Sequence, residues 1–522
     1  MSSEENKNYY LKVSRASDLA IAKERWLYRF LEMFPGAFSW LTLLTAVALS
    51  FLAPAIIAVF IIIFSCFWVL RTLYFYFHLW FGYRRMEEYR KKNWFEELKS
   101  LPKENYSLPI GSWNEIYHLV IITVYKEPLA IIREAVRAIE KADYPKNRIM
   151  VVLACEQRAR EKNEIIANEI EKEFKNSFYR FLVSWHPDNL PNEIAGKGSN
   201  ESWAAKEAKE KLIDQLGLAY ENITVSSFDA DTIVSPGYFG CLSWHYLTTE
   251  NPTRASYQPI PLYTNNILSA PAISRVFSFS SSFWQIMNQE RPEKIMTFSS
   301  HSMSFKALVE VGFKDAKVVS DDSRIFWQCF LQFDGNYRVI PLFYPVSMDA
   351  NVAGTLWQTM VNIYKQQKRW AYGVGEIPYC LFGFLKNKKI PLKKKLSFGF
   401  EIIEGHWSWA IAPLLIFFFG WLPIILGGQS FSQTMLSYSL PKMVSRISTI
   451  AMVGIVLSAY FSVLITPQKE IIRGKLRLLF FASGWFLIPV IMIVFSSLPA
   501  LAAQTNWLLG RYMGFWNTDK SR

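Results

Sequence analysis

The sequence predicts an α/β domain built on a Rossmann-like parallel sheet, facing the cytoplasm and inserted between transmembrane α-helices. Three observations carry that expectation. Apolar residues make up 51% of the 522. They concentrate near the N-terminus and across the C-terminal quarter, leaving a polar block of roughly 300 residues that can bury its own core. Inside that block short β-rich runs alternate with helical patterns, as in parallel strands joined by crossover helices. The formal charge of +13 is carried largely by Lys and Arg beside the apolar runs.

The N-terminus is charged through Arg29, so no cleavable signal peptide is expected. Ser17-Asp18 ahead of Leu19, Ile21, Ala22 and Trp26 predicts a capped amphipathic helix on the membrane surface, within a cytoplasmic segment 1–35. Residues 36–83 read as a transmembrane hairpin, with Pro54 dividing spans near 37–53 and 55–77. Lys23, Arg25 and Arg29 precede it and Arg84, Arg85, Arg90, Lys91 and Lys92 follow, which puts both ends in the cytoplasm and suggests a plasma-membrane protein.

The central domain, 105–350, has candidate strands Tyr117–Tyr125, Arg148–Cys155, Arg180–Trp185 and Ile223–Phe228. Helical patterns lie between them, around Ala130–Lys141 and Asn200–Leu216. Residues 351–400 read as interfacial helices ending in the basic runs 386–389 and 393–395, which suit lipid headgroups. The segment 401–505 holds spans near 406–427, 446–466 and 477–500, the last two linked through Lys469, Arg473, Lys475 and Arg477. Five spans would send the tail, 506–522, outside. With spans on both sides, the basic charge points to membrane lipids as partners, not nucleic acid. The five cysteines, Cys66, Cys155, Cys241, Cys329 and Cys380, lack metal-ligand spacing and read as reduced structural thiols.

Ligands of an open α/β sheet bind beyond the carboxyl ends of its strands, so the turn after the first strand sets Glu127 where a nucleotide docks. Gly196-Lys197-Gly198-Ser199-Asn200 opens a helix, and its amides and lysine suit phosphate oxygens. Asp229 and Asp231, at i and i+2 after an apolar strand, point the same way. Their oxygens suit Mg2+ or Mn2+, although a solvated acidic turn has the same sequence. Asp321-Asp322 precedes the helical run Ile325–Phe333, where acids commonly cap a helix. Gln366, Arg369 and Trp370 fall at i, i+3 and i+4 on one helix face. Taken alone they describe a surface helix with an interfacial tryptophan.

The order acid pair, acid pair, Gln-x-x-Arg-Trp, membrane span resembles the membrane-embedded family-two glycosyltransferases, the group holding cellulose, chitin and hyaluronan synthases. That resemblance implies a GT-A fold over about residues 117–370. It implies inverting transfer of a sugar from a nucleotide-sugar donor, with UDP expected, to a growing polysaccharide. Transfer to a lipid-linked glycan acceptor, a transporter, and an inactive glycan-binding partner are the rivals. A transporter would carry paired intramembrane charges, whereas Arg71, Glu401, Glu404 and Arg446 fall near span ends.

The resemblance also implies roles for single residues. Tyr125 and Glu127 would line the nucleoside pocket, and Glu156 would stand where the family has paired aspartates that hold the base. Lys197 aligns with the family's Lys-Ala-Gly-x-x-Asn stretch, while Asp229 and Asp231 would hold the metal and diphosphate. Asp322 would end the family's Thr-Glu-Asp motif, here Ser-Asp-Asp, as the catalytic base; the local helix start, apart from the resemblance, gives Asp321 as the cap. Arg369 would meet the diphosphate, and Gln366, Trp370 and His301 would meet the acceptor.

Overall fold

The computed structural model describes residues 8–466, 479 and 482–516. At its centre is an eight-stranded sheet: β1 Tyr117–Val124, β2 Ile149–Glu156, β3 Arg180–His186, β4 Ile223–Asp229, β5 Ile233–Val234, β6 Ala255–Leu262, β7 Ser302–Ser304 and β8 Arg338–Ser347. The order across it is β3-β2-β1-β4-β7-β6-β8-β5. β1 to β4 pair in parallel, and β6 pairs parallel with β8. β7 runs antiparallel to both β4 and β6, so the sheet is mixed and not the uniformly parallel one expected. The physical reason is its length: three residues carry no period for a pattern to reveal.

β-Branched and aliphatic residues make β1 and β2 strands, and all of β2 is buried. Alternate β1 residues enter opposite layers. Leu119 and Ile121 pack with the helices Lys197–Ala208 and Asp321–Gln332, and Val120, Ile122 and Val124 pack with Leu129–Glu140 and Tyr238–Thr248. Both faces are thus covered, as a parallel core requires.

Among the described residues four helices are long and apolar enough to cross a membrane: Ala22–Leu52, Pro54–Lys91, Met435–Ile465 and Gly484–Leu508. The pair Leu392–Phe417 and Phe419–Leu426, bent by 47°, makes a fifth candidate. The helix at the N-terminus departs from expectation. Ser17-Asp18 lies in a 3-10 turn, Ala16–Asp18, and the helix starts at Ala22 and continues through Pro35. Buried Glu32 explains this, because it accepts from the Ala16 amide at 2.9 Å and folds the leading segment back onto the helix.

Gly484–Leu508 also corrects the expected topology. Its first turn packs Trp485 against Phe283, ring centroids 5.6 Å apart, in the helix Ala272–Gln289 that follows β6. Its last turn meets Arg29, which donates to the carbonyls of Trp507 and Leu508 at 2.9 and 2.7 Å. The Met513 amide then donates to the Tyr372 hydroxyl at 2.9 Å. The tail through Trp516 therefore lies on the face of the sheet domain, not the opposite one. The expected link through Lys469, Arg473, Lys475 and Arg477 lies outside the described residues. Arg71 and Glu404, read as span-end charges, instead pair between helices, with a second contact at 3.3 Å.

His118, inside β1, lies fully buried between the hydroxyls of Thr224 and Ser243, at 2.7 and 2.9 Å. Burial pushes its pKa from 6.5 down to about 3. The unfolded chain therefore takes up a proton that the fold excludes, and stability present above pH 6.5 is lost as pH falls toward 3. Thermal unfolding in detergent should show a lower midpoint at about pH 5.5 than at about pH 7.5, and His118→Asn should remove up to about 1.4 kcal/mol of that loss per pH unit.

Candidate active site

The strand register assembles the site. Thr123 in β1 lies opposite Asp229 in β4 and Ala154 in β2, so Tyr125, Glu127, Glu156 and Asp229 all emerge at one sheet edge. Glu127 folds back to accept from the amides of Tyr125 and Lys126, at 2.7 and 3.1 Å. Glu156 is buried and paired with Arg158, whose guanidinium stacks 4.2 Å from the Tyr125 ring centroid. A polar cleft of about 270 Å³ opens beside Glu156 and Arg158, bounded by His186, Asp188 and Glu193.

The two acid pairs meet through lysines. Lys197, the first residue of its helix, contacts Asp229 at 2.6 Å and Asp322 at 2.9 Å. Lys314 contacts the other Asp322 oxygen at 3.1 Å, Glu201 at 2.9 Å and Asp321 at 3.5 Å. Burial alone would raise Asp322, but Lys197 and Lys314 outweigh it and hold the carboxyl well below the usual range. Burial and the adjacent Asp322 charge push Asp321 up to about 6. Asp321 does not cap its helix as expected; it makes no cap hydrogen bond and sits buried against Lys314. Gly198 permits this, since a Cβ there would lie 2.7 Å from the Asp321 Cβ.

Asp231 accepts from the Asp349 amide at 3.0 Å. Asn265 ties the two together, donating to the Asp231 carbonyl at 3.1 Å and to Asp349 Oδ1 at 3.0 Å. Ser299 donates to Asp229 at 2.7 Å. Burial raises the Glu127 pKa, and the charge of Asp231 adds to the rise. The carboxyls of Asp229, Asp231 and Asp349 bring together an all-oxygen donor set of the kind that fits a hard divalent cation. By contrast, the carboxylates of Glu201, Asp321 and Asp322, within 4.8 Å of one another, already have the Lys314 ammonium among them.

The Gln-x-x-Arg-Trp stretch lies in the helix Leu356–Ala371, whose Thr355 cap accepts from the Gln358 amide. Gln366 is buried and accepts from Asn351 at 3.2 Å. Trp370 is half-buried between Phe277 and Phe298, at 5.8 and 5.7 Å. Burial lowers the Arg369 pKa, opposed by Asp229, Asp321 and Asp322. His301 departs from the acceptor-facing position expected. It is fully buried, with Nδ1 2.9 Å from the Phe298 carbonyl and 3.8 Å from Asp322 Oδ1, and burial pushes its pKa down to about 3.

Four residues at the site belong to no motif. Asp349 follows β8 and has the one legible signal, an acid just past a strand's carboxyl end. Lys314 and Tyr263 have none. Tyr263 is buried, with Asp229 and Asp231 adding to the rise in its pKa. Phe515 comes from the tail: its ring lies 4.6 Å from the Arg369 guanidinium, and a Cβ at Gly196 would overlap it at 2.4 Å.

No curated protein matches the chain. Among solved structures it is similar to the mannosyltransferase PcManGT from Pyrobaculum calidifontis in complex with GDP-Man and Mn2+. Identity there is 13%, covering 83% of this chain and 99% of that one, with a TM-score of 0.40. It is also similar to residues 1–349 of S. aureus TarS, at 12% identity over 64% of this chain and 90% of that one, TM-score 0.36. Likenesses this distant carry no argument about mechanism. The model of the family described as glycosyl transferase family group 2 matches residues 225–509, more than half the chain, from β4 through Arg369-Trp370 to the last helix. The protein, an enzyme with helices apolar enough to span a membrane, belongs to that glycosyltransferase family.

Proposed function

We propose that this glycosyltransferase passes a sugar from a UDP-linked donor to the end of a growing polysaccharide, inverting the anomeric centre. The observation that carries the reading is the placement of Asp322. Lys197 links its carboxylate to Asp229 on the donor edge. Its carbonyl accepts from Thr297 at 2.6 Å, next to the Phe298 that packs on Trp370. One acid thus stands between a nucleotide edge and an aromatic platform.

Asp322 takes the proton of the acceptor hydroxyl as that oxygen bonds to the anomeric carbon. The bond to the diphosphate breaks with its electron pair on the departing nucleotide. A single displacement turns an α-linked donor into a β-linkage. Lys197 and Arg369 receive the diphosphate charge, Arg369 in the bidentate manner of a guanidinium. Mg2+ or Mn2+, held by Asp231 and Asp229 with Asp349 alongside, would neutralise charge at the leaving group. Tyr125, Glu127 and Glu156 hold the nucleoside. Trp370 offers its face to the apolar C–H face of a pyranose, and Gln366 braces the same helix. The basic residues flanking the hairpin favour a cytoplasmic catalytic domain at the plasma membrane.

The second reading is a lipid-linked glycan acceptor. The described residues hold four helices, five with the bent pair, that are apolar enough to cross a membrane, and so few helices favour a lipid-borne acceptor over an enclosed polymer channel.

Asp322→Asn should lower turnover by about 10²–10⁴-fold while leaving donor binding intact. Asp231→Asn should abolish the metal dependence of donor binding. Nucleotide release and calorimetry separate the two, and near-wild-type turnover in Asp322→Asn would remove the base assignment.

Trp370→Ala should weaken acceptor use by several-fold to about tenfold, from the loss of ~0.5–1.5 kcal/mol of stacking. Trp370→Phe should recover part of it. Sizing wild-type products by mass spectrometry then tests the acceptor: a ladder of lengths fits polymer extension, and a single lipid-extractable sugar fits the second reading.

A further inference from the structure

The two oxygens of the Asp322 carboxylate are held by different lysines. Lys197 contacts Oδ2 and is shared with Asp229, so it belongs equally to the donor edge. Lys314 contacts Oδ1 and reaches no donor residue; its other partners are Glu201 and Asp321, both buried. Lys314 is itself only 5% exposed. Glu201 is fixed from the far side by the Ser227 hydroxyl in β4. Glu201, Asp321 and Asp322 have the spacing of a metal site, but the cation among them is part of the chain.

The backbone is bent to deliver that lysine. Gly312 and Phe313 both have positive φ, 79° and 70°, a conformation that strains a non-glycine residue and persists only where the surroundings enforce it. They are enforced here. The Phe313 amide donates to the Leu308 carbonyl at 2.8 Å. Gln328 donates to the Phe313 carbonyl at 3.2 Å and accepts from the Asp315 amide at 3.2 Å. The turn ends at Lys314, aimed inward at the acids.

We propose that Lys314 is a positioning residue for sugar transfer, holding Asp322 by Oδ1 so that Oδ2 is the oxygen that receives the acceptor proton. The proposal rests on Asp322 being the base. A donor diphosphate is a stronger anion for Lys197 than a shared carboxylate, so donor binding draws Lys197 from Oδ2. Lys314 has no such alternative and stays. The acceptor hydroxyl then faces one free, oriented oxygen; its proton passes to Oδ2, and the bond electrons of the departing nucleotide leave with the diphosphate. The groups facing Asp322 are Lys197, Lys314, His301 and Asp321, with Glu201 behind Lys314 and the field of Arg369 on the donor side.

The test uses the full chain in detergent with the UDP- or GDP-linked hexose that the wild type turns over fastest. Lys314→Met alone leaves buried acids uncompensated, so Lys314→Met/Glu201→Gln, which restores the charge balance, is the informative variant. It should keep a near-wild-type unfolding midpoint and a donor KM within about twofold, while kcat falls about 10²-fold, the scale on which misplaced groups act. The acidic limb of its kcat–pH profile should move to higher pH, because Asp322 loses a counter-ion. Lys314→Arg, which keeps the charge, should recover part of kcat and return the limb toward wild type. A folded double variant with wild-type kcat and an unmoved limb would overturn the proposal. Should the double variant not fold, Lys314→Met/Asp321→Asn, which also removes one charge of each sign, decides in the same way: wild-type kcat with an unmoved limb overturns the proposal, and a lowered kcat at unchanged donor KM supports it. Asp322→Asn assayed alongside separates the layers. If it retains turnover, the base assignment fails; if it is inactive while the double variant is not, only the role of Lys314 fails.

Discussion

Negative charge is what this catalytic edge has to hold together. Asp229, Asp231, Asp321, Asp322, Asp349, Glu127 and Glu201 converge on a few turns of chain, several of them buried. In a medium of low dielectric such acids coexist only if cations sit among them or protons neutralise them. Here cations sit among them. Asp322 has two ammonium groups and stays ionised, while Asp321, deeper and beside that charge, is pushed up to about 6. Neighbouring carboxyls with opposite tendencies are what a proton-transfer site needs, because one must accept while the other stays silent. Helix starts, glycine positions and the turn at Phe313 all serve that charge arrangement.

Much of the fold was legible because its strands are long and uniformly apolar. β1, β2 and β4 declare themselves as β-branched runs, and the acids at their ends follow from strand direction. β5 and β7, with two and three residues, leave no pattern, so the reversal in the sheet could not be read. The site divides the same way. Asp229, Asp231, Asp322, Arg369 and Trp370 sit in motifs, whereas Lys314 and Tyr263 are single residues whose meaning comes from what lies across the fold. Asp321 was assigned a helix cap on local grounds. A lysine outside its own helix claimed it, since burying an acid without a partner costs more than a cap returns.

The apolar helices were found by composition, but their sidedness was not. Counting spans assumes that every apolar helix crosses, and Gly484–Leu508 shows why the assumption fails. Its apolar surface is partly spent on protein, with Trp485 on Phe283 and Trp507 on Tyr372. Periodicity cannot separate a helix that is apolar because it meets lipid from one that is apolar because it meets other helices. Arg71 and Glu404 teach a related lesson, for two charges that look terminal in one dimension become partners once their helices are side by side.

The cysteines have a consequence for spectroscopy. Cys155, Cys241, Cys329 and Cys380 are buried, and burial pushes Cys155 and Cys329 up to about 12 and the other two well above the ordinary thiol range. Thiolate is the species that alkylating dyes attack, so these four should stay silent in the folded chain. Cys66, on Pro54–Lys91, is exposed. A Cys66 thiol facing lipid is likewise kept from ionising, so the native thiols form a quiet background against which one cysteine placed on a wetted loop would carry a maleimide fluorophore or spin label.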